Sequence, residues 1–202
     1  MRKLFLFLTV AATAAATPAP APAIDLNPFS AIKGAVEAAV EDRSSADIAK
    51  DLEIKAKITA DVVDALGKEV ISISADVYEQ DVMLTGAVEK ADIKHKAEAL
   101  TRAVKDVKKI YNEILVIPSV KREKGAVEGF VDDTVIESKI NALLLDAKGV
   151  NVTNFRWRAV GGRVFLFGRA LSADELKKAI GVVKGIKGVA SVTSRVKVTP
   201  KG

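Results

Sequence analysis

The sequence contains one unit twice, and this repeat constrains the fold more than any other feature. Shifted by 82 residues, the segment 51–116 aligns with the segment 133–198 without a gap. Identical residues recur in the same order at this offset, among them the pairs Ile54/Ile136, Gly67/Gly149 and Gly86/Gly168. A long period that occurs only twice predicts two small tandem domains, because solenoids repeat shorter units many times.

The second unit predicts the element order helix, strand, strand, helix, strand. Its first helix is an amphipathic segment with an N-cap at Asp132 or Asp133, and it runs to Asp146. Two β-rich runs, at 150–160 and 163–168, are joined by Gly161-Gly162, which is typical of a two-residue hairpin turn. Ser172, with Glu175 three residues later, predicts a capping box for a second helix that runs to about residue 184, and a last strand follows at 189–198.

The first unit predicts the same five elements, at 46–66, 69–77, 82–86, 90–104 and 107–117. Each unit is therefore expected to be an αββαβ two-layer sandwich of the α+β class, in which two helices cover one face of a small mixed three-stranded sheet. We place domain 1 at 46–117, a polar linker at 118–130 and domain 2 at 131–199.

The N-terminus has the pattern of a secretory signal. Basic Arg2 and Lys3 precede an apolar run over 4–16, and Ala21-Pro22-Ala23 forms a small-residue cleavage site. We expect residues 1–23 to be a signal peptide cleaved after Ala23 and the mature protein to be periplasmic. The apolar run is too short to span a bilayer as a helix, and the absence of cysteine argues against a lipoprotein.

Between the signal and domain 1, the segment 24–45 predicts a weak helix that leads into the first unit. Its apolar residues fall on one stripe, formed by Phe29, Ile32, Val36 and Val40. This stripe either packs on a domain or lies on a membrane, and the acidic residues on the opposite side favour packing.

The composition argues against most kinds of enzyme. The sequence has no cysteine and one histidine, which excludes thiol catalysis and disulfide frameworks and nearly removes the usual ligands of zinc, haem and iron–sulfur centres. A histidine-based triad would have to use His95, and no nucleophile lies near it in the sequence. We therefore expect no catalytic residues, no metal site and no cofactor.

The two halves of the chain carry opposite net charges. Residues 24–118 contain 13 basic and 18 acidic residues, a net charge of −5, whereas residues 119–202 contain 16 and 8, a net charge of +8. On an exported protein, a basic half predicts an anionic phospholipid or another acidic envelope surface as partner, and not nucleic acid. A solvated basic surface without a partner is the alternative.

One strand of the basic half interleaves arginine with aromatic residues. Arg156 and Arg158 alternate with Phe155 and Trp157, so the two pairs face opposite sides of the sheet. Arginine suits a phosphate headgroup and tryptophan suits a membrane interface. The same pattern equally suits a core strand with a solvated back.

Three stretches resemble the BON domain family, a bacterial module of exported envelope and osmotic-shock proteins. The stretches 81–88 and 162–170 look like its glycine-ending central strand, and 107–114 looks like its closing strand. The resemblance implies a non-enzymatic protein that binds anionic phospholipid through the second unit and supports outer-membrane integrity. On the matching positions, the lipid-binding residues lie on the first helix of that unit: Thr134, Val135, Ile136, Lys139 and Leu143.

This sequence departs from its two-unit relatives in the family at two points. A lipidated cysteine is missing, and Val135 stands where those relatives carry an aromatic residue. Membrane binding is therefore expected to be weaker and reversible. We add Arg156, Trp157 and Arg158 to the predicted lipid-binding residues. The alternative is an osmotic-stress module that binds envelope proteins, or acts as a chaperone, without binding lipid.

Overall fold

The computed structural model describes residues 43–67, 73–117 and 126–200, and in the last range it describes side chains from Asp133 onward. The predicted signal peptide at 1–23, nearly all of the segment 24–45 and the linker residues 118–125 lie outside the described residues. Among the helices in these ranges, none combines the length and the apolar character that a membrane crossing requires.

Domain 1 has β2 at the centre of its sheet, antiparallel to β1 and parallel to β3 and β4. Its elements are α1 (Ser45–Leu66), β1 (Ile73–Tyr78), β2 (Asp81–Val88), α2 (Ala91–Ala103), β3 (Lys109–Asn112) and β4 (Leu115–Val116). The prediction of one closing strand at 107–117 is wrong, because the chain leaves the strand at Glu113 and Ile114. There the Asn112 side chain accepts a hydrogen bond from Ile114 N, and the Ile114 side chain enters the core.

Domain 2 repeats this arrangement around β6, which is antiparallel to β5 and parallel to β7. Its elements are α3 (Ala126–Asp146), a 3-10 turn (Val152–Asn154), β5 (Phe155–Val160), β6 (Arg163–Ala170), α4 (Ala173–Lys184) and β7 (Ser191–Val198). Both predicted αββαβ units of the α+β class are confirmed. The Ser172 cap is also confirmed, since its hydroxyl accepts a hydrogen bond from Glu175 N at 3.1 Å. The other half of the predicted capping box is different, because the Glu175 carboxylate accepts hydrogen bonds from Leu171 N and Asn151 N.

The predicted cap of α3 is wrong. The helix begins at Ala126, so Asp132 and Asp133 lie inside it. Instead, the buried Asp133 carboxylate holds the β5–β6 turn: its oxygens accept hydrogen bonds from Gly161 N at 2.6 Å and from Gly162 N at 2.8 Å. The first helix of the unit thus fixes the hairpin that follows it.

Asp51, the equivalent of Asp133 in domain 1, holds the β1–β2 turn in the same way. Its carboxylate accepts hydrogen bonds from Glu79 N and Gln80 N, each at 2.8 Å, and pairs with Arg43. Glu79 and Gln80 have φ angles of 51° and 64°, in the left-handed region that non-glycine residues rarely adopt. The carboxylate therefore stabilises a turn that lacks the glycines of its counterpart.

Helices cover one face of each sheet and form a separate core in each domain. In α1, core residues recur every fourth position, as expected for the buried stripe of an amphipathic helix. On the central strands, alternate residues point into these cores: Val82 and Leu84 in domain 1, and Val164 and Leu166 in domain 2, all fully buried.

The remaining faces of the two sheets pack against each other. A third apolar cluster joins them, formed by buried Tyr78, Met83, Phe165 and Phe167 with partly buried Tyr111, Leu115 and Val160 around them. The Tyr111 and Phe167 rings meet edge to face, with centroids 5.9 Å apart. The layer order is therefore helices, sheet, sheet, helices.

Candidate functional site

The outer side of α3 carries exposed apolar residues around a lysine. Of the residues predicted from sequence, Thr134, Val135, Lys139 and Leu143 are exposed, and 45% of Val135 and 46% of Leu143 remain open to solvent. Val135, Lys139 and Leu143 are spaced four residues apart, so they share one side of the helix. We call Thr134, Val135, Lys139 and Leu143 the α3 face.

Ile136 does not belong to the α3 face. Its side chain is 2% exposed and lies in the domain 2 core with Ile140 and Leu144. Helical geometry gives the reason, because the residue next to an exposed one is rotated by about 100°. The structure therefore places Ile136 among packing residues and not on the predicted lipid-binding surface.

The same side of α1 in domain 1 is chemically different. At the repeat offset, Lys57 matches Lys139, but Glu53 stands where domain 2 has Val135, and Asp61 stands where it has Leu143. Glu53 and Lys57 are exposed, Asp61 is partly buried, and Lys57 forms an i,i+4 ion pair with Asp61. Domain 2 thus has apolar side chains at two positions where domain 1 has acids, whereas at the Thr134 position domain 1 has the exposed Leu52.

Glu137 lies on α3 between Val135 and Lys139, but its carboxylate is turned away from the α3 face. It is partly buried, and its carboxylate accepts a hydrogen bond from Ala159 N at 2.8 Å, so the charge points toward β5. Burial raises the pKa of Glu137, while the nearby Arg158 acts in the opposite direction. Glu137 therefore adds no acidic group to the α3 face.

Trp157 lies in the core of domain 2 and not at the surface. It is 6% exposed, and its indole Nε1 donates a hydrogen bond to Glu137 O at 3.3 Å. The predicted alternation is confirmed, since Phe155 and Trp157 face the helices while Arg156 and Arg158 face the other side. Because Trp157 is buried, it cannot contact a membrane interface in this arrangement.

Arg156 and Arg158 face domain 1. Arg158 forms a bidentate ion pair with Asp76, with Nε–Oδ2 and Nη2–Oδ1 distances of 2.9 and 3.1 Å. The Arg156 guanidinium lies 5.5 Å from the centroid of the Tyr78 ring, within the range of a cation–π contact. These arginines therefore contact the other domain and are separated from the α3 face by the sheet.

The contrast in net charge reappears at the interface between the domains. Among the described residues, four ion pairs cross it, and in each the acid belongs to domain 1 and the base to domain 2. They are Asp76–Arg158, Glu79–Arg169 at 3.2 Å, Asp81–Lys197 at 2.8 Å and Glu113–Arg195 at 2.7 Å. The sequence analysis did not predict these ion pairs between the domains, although the opposite net charges of −5 and +8 indicated that the two halves could attract each other.

Asp76 is the most perturbed of these acids. Its burial works against ionisation, but the charges of Arg158 and Lys55 and the hydrogen bond from Arg158 outweigh burial and lower the pKa of Asp76 to about 2. Since this pKa is below the ordinary value of 3.8, the stabilisation is complete above about pH 5 and is lost as the pH falls toward 2.

We expect the wild-type protein to lose about 2 kcal/mol more of its free energy of unfolding than Asp76→Asn between about pH 5 and pH 2, because the variant has no carboxylate to protonate there. Urea unfolding at a series of pH values measures the difference. Asp64→Asn, at an exposed position of α1, should keep the wild-type pH dependence. Equal pH dependence in wild type and Asp76→Asn would contradict the assignment.

Basic side chains remain on the outer side of domain 2. Exposed lysines of α3, α4 and the segments that follow them are Lys139, Lys148, Lys177, Lys178, Lys184 and Lys187. These six lysines are matched by seven acidic residues on α3 and α4, so the positive net charge of domain 2 comes from the basic residues of its strands, most of which face domain 1. Across the described ranges, no three His, Asp or Glu side chains come together as a metal site would require.

Comparison with known proteins identifies both domains. A sequence model described as "BON domain" matches residues 50–118 and 132–200. The chain belongs to the BON domain family. The two matches correspond to the two αββαβ units, and their central strands are β2 and β6.

Several relatives align over most of their length. A protein of Anaplasma centrale, described as "Uncharacterized protein in gshII 5'region", is 35% identical over 62% of this chain and 81% of its own. Outer membrane lipoprotein DolP of Haemophilus influenzae is 29% identical over 76% and 80%. Osmotically-inducible protein Y of Escherichia coli is 28% identical over 73% and 72%.

Proposed function

We propose that this is an exported, non-catalytic envelope protein whose second BON domain binds anionic phospholipid peripherally through the α3 face, and that it supports outer-membrane integrity. The observation that carries the proposal is the difference between the two copies. Val135 and Leu143 are half-exposed apolar residues at positions where domain 1 has Glu53 and Asp61. The apolar side chains would enter the headgroup region while Lys139 contacts phosphate.

The expected affinity is modest. Each lysine near an anionic surface contributes about 1 kcal/mol before screening, and two half-buried aliphatic side chains add a few kcal/mol at most. Binding by such a surface is reversible and falls with salt. This differs from DolP, which is a lipoprotein by name, since the present sequence has no cysteine to carry a lipid.

An envelope location has two supports of different kinds. The relationship to DolP, an outer membrane protein, supports a role at the envelope. The signal segment 1–23, with cleavage after Ala23, is a sequence prediction that would deliver the chain to the periplasm. N-terminal sequencing of the protein recovered from periplasmic extracts tests the location and the cleavage site together.

We expect Val135→Glu/Leu143→Asp, which gives domain 2 the acidic residues of domain 1, to lower the affinity for vesicles by about tenfold or more, because it removes apolar contact and adds charge of the same sign as the lipid. Co-sedimentation with phosphatidylethanolamine vesicles of increasing phosphatidylglycerol content measures this. Both positions are exposed, so folding should be unaffected.

A matched pair of single variants separates the two domains. Lys139→Glu should weaken binding, whereas Lys57→Glu, the equivalent change in domain 1, should leave it unchanged. Equal binding of wild type to neutral phosphatidylcholine vesicles, or unchanged binding of Val135→Glu/Leu143→Asp, would refute the proposal.

A second candidate function is a protein-binding or chaperone-like stress module, which the similarity to Osmotically-inducible protein Y supports. The same exposed apolar side chains could contact a protein. Failure to bind any vesicle, together with capture of an envelope protein that survives high salt and is lost in Val135→Glu/Leu143→Asp, would favour this candidate.

A further inference from the structure

The interface between the BON domains has the form of a two-fold contact. Asp76 pairs with Arg158, and Glu113 pairs with Arg195; in both cases the partners are equivalent residues, 82 positions apart. The apolar cluster also contains equivalent residues in pairs, Tyr78 with Val160 and Met83 with Phe165. Contacts between equivalent residues are characteristic of an isologous interface, in which two copies of one domain meet around a two-fold axis.

The charges at these equivalent positions are inverted between the copies. Domain 1 has acids at 76 and 113 where domain 2 has arginines at 158 and 195. A third inversion lies on the first helices, where Lys55 matches Glu137. Lys55 Nζ lies 3.7 Å from Asp76 Oδ1, and Glu137 interacts electrostatically with the nearby Arg158. Positive and negative groups therefore alternate across the contact.

This inversion of charge matters because the apolar part of the interface does not distinguish a pair of like domains from the unlike pair. Two copies of domain 2 could place Phe165 against Phe165, but they would also place Arg158 against Arg158 and Arg195 against Arg195. Two copies of domain 1 would oppose Asp76 to Asp76, a residue only 5% exposed. Like charges opposed in a poorly solvated interface strongly disfavour the wrong pairing.

We propose that the signs of these charges make the interface accept only unlike domains, and that it can join two copies of this chain by exchange, with domain 1 of each seated on domain 2 of the other. The contacts in the exchanged dimer are those described within one chain. The partner is therefore a second copy of this protein, selected by charge and held by the apolar cluster.

Two complementary variants test the proposal on the full chain. Asp76→Arg/Glu113→Arg makes the domain 1 surface basic, and Arg158→Asp/Arg195→Glu makes the domain 2 surface acidic. Each variant opposes like charges within one chain. A one-to-one mixture offers opposite charges only between chains, so it should form a two-chain complex by light scattering, with an affinity about tenfold or more above the self-association of either variant.

The variant that combines all four substitutions is the control. Its charges are complementary within one chain again, so its elution volume and mass should match those of wild type. If the mixture forms no two-chain complex although both variants fold, or if either variant self-associates as strongly as the mixture, the proposal is wrong.

Should the substitutions at the buried Asp76 prevent folding, the three chains are remade with Glu113→Arg and Arg195→Glu alone. This pair is the more exposed one at the interface, with side-chain exposures of 43% for Arg195 and 17% for Glu113. The same outcomes then decide, with the expected preference for the mixed complex reduced to severalfold.

Discussion

Gly168→Ala is expected to lower the free energy of unfolding by about 4 kcal/mol. Gly168 lies in β6 with a φ angle of 109°, a conformation that strains any other residue, and a Cβ there would lie 2.1 Å from the Asn154 carbonyl oxygen. Backbone strain of about 1–3 kcal/mol and overpacking of about 1–3 kcal/mol add together. The obstacle is backbone, so no flexible side chain can move aside. Urea unfolding measures the loss.

Gly181→Ala is the matched control. Gly181 lies inside α4, its φ angle is not positive, and a Cβ there meets nothing within 4 Å. Alanine is favoured over glycine in a helix, so this variant should gain about 0.5–1 kcal/mol. A Gly168→Ala protein as stable as wild type would contradict the close packing of β6 against Asn154.

Asp51→Ala is expected to cost about 3 kcal/mol, the second largest effect. The change removes an ionised acceptor from Glu79 N, Gln80 N and the Gln80 side chain, and it leaves Arg43 without this carboxylate. Hydrogen bonds to charged groups contribute about 1.5–3 kcal/mol each, reduced here because the turn can be partly rehydrated. Thermal and urea unfolding both report the loss.

The repeat supplies an internal comparison for this prediction. Asp133→Ala should cost less, about 2 kcal/mol, because Gly161 and Gly162 adopt left-handed angles without help whereas Glu79 and Gln80 do not. Asp64→Ala, an exposed change on α1, should stay within about 0.5 kcal/mol of wild type. Equal losses for Asp64→Ala and Asp51→Ala would show that the turn does not depend on the carboxylate.

The helices and strands of the fold were predictable because local sequence patterns determine them. Apolar periodicity located the helices, and the glycines at 161 and 162 marked a turn between strands. The break between β3 and β4 was not predictable, because it depends on the Asn112 side chain and on the burial of Ile114, which are tertiary features. The alternation along β5 gave the two sides of the strand correctly.

The site was harder to predict because sequence pattern does not say what covers a face. Arg156 and Arg158 were correctly placed on the side away from Trp157, but that side is covered by domain 1. The chemical contrast between the two first helices, Val135 and Leu143 against Glu53 and Asp61, was visible in the alignment of the two units. It gains meaning only when the structure shows those positions on the outside of the helix layers.

Asp51 and Asp133 show a signal that was present and misread. They are identical acids at equivalent positions, and the place of Asp133 near the start of an amphipathic segment suggested a helix cap. Their true partners, the turns at 79–80 and 161–162, are 28 residues further along the chain. A repeated acid on an otherwise apolar face was the indication that it had a buried partner.

The order of layers also determines what a bound molecule can reach. Because the sheets meet in the middle, α1 and α3 lie at opposite ends of the stack. If the protein contacts a bilayer through α3, the charged side of α1 faces away from the lipid, toward the aqueous compartment. In the lipid-binding mode proposed above, domain 1 would therefore remain exposed to the aqueous compartment while domain 2 contacts the membrane.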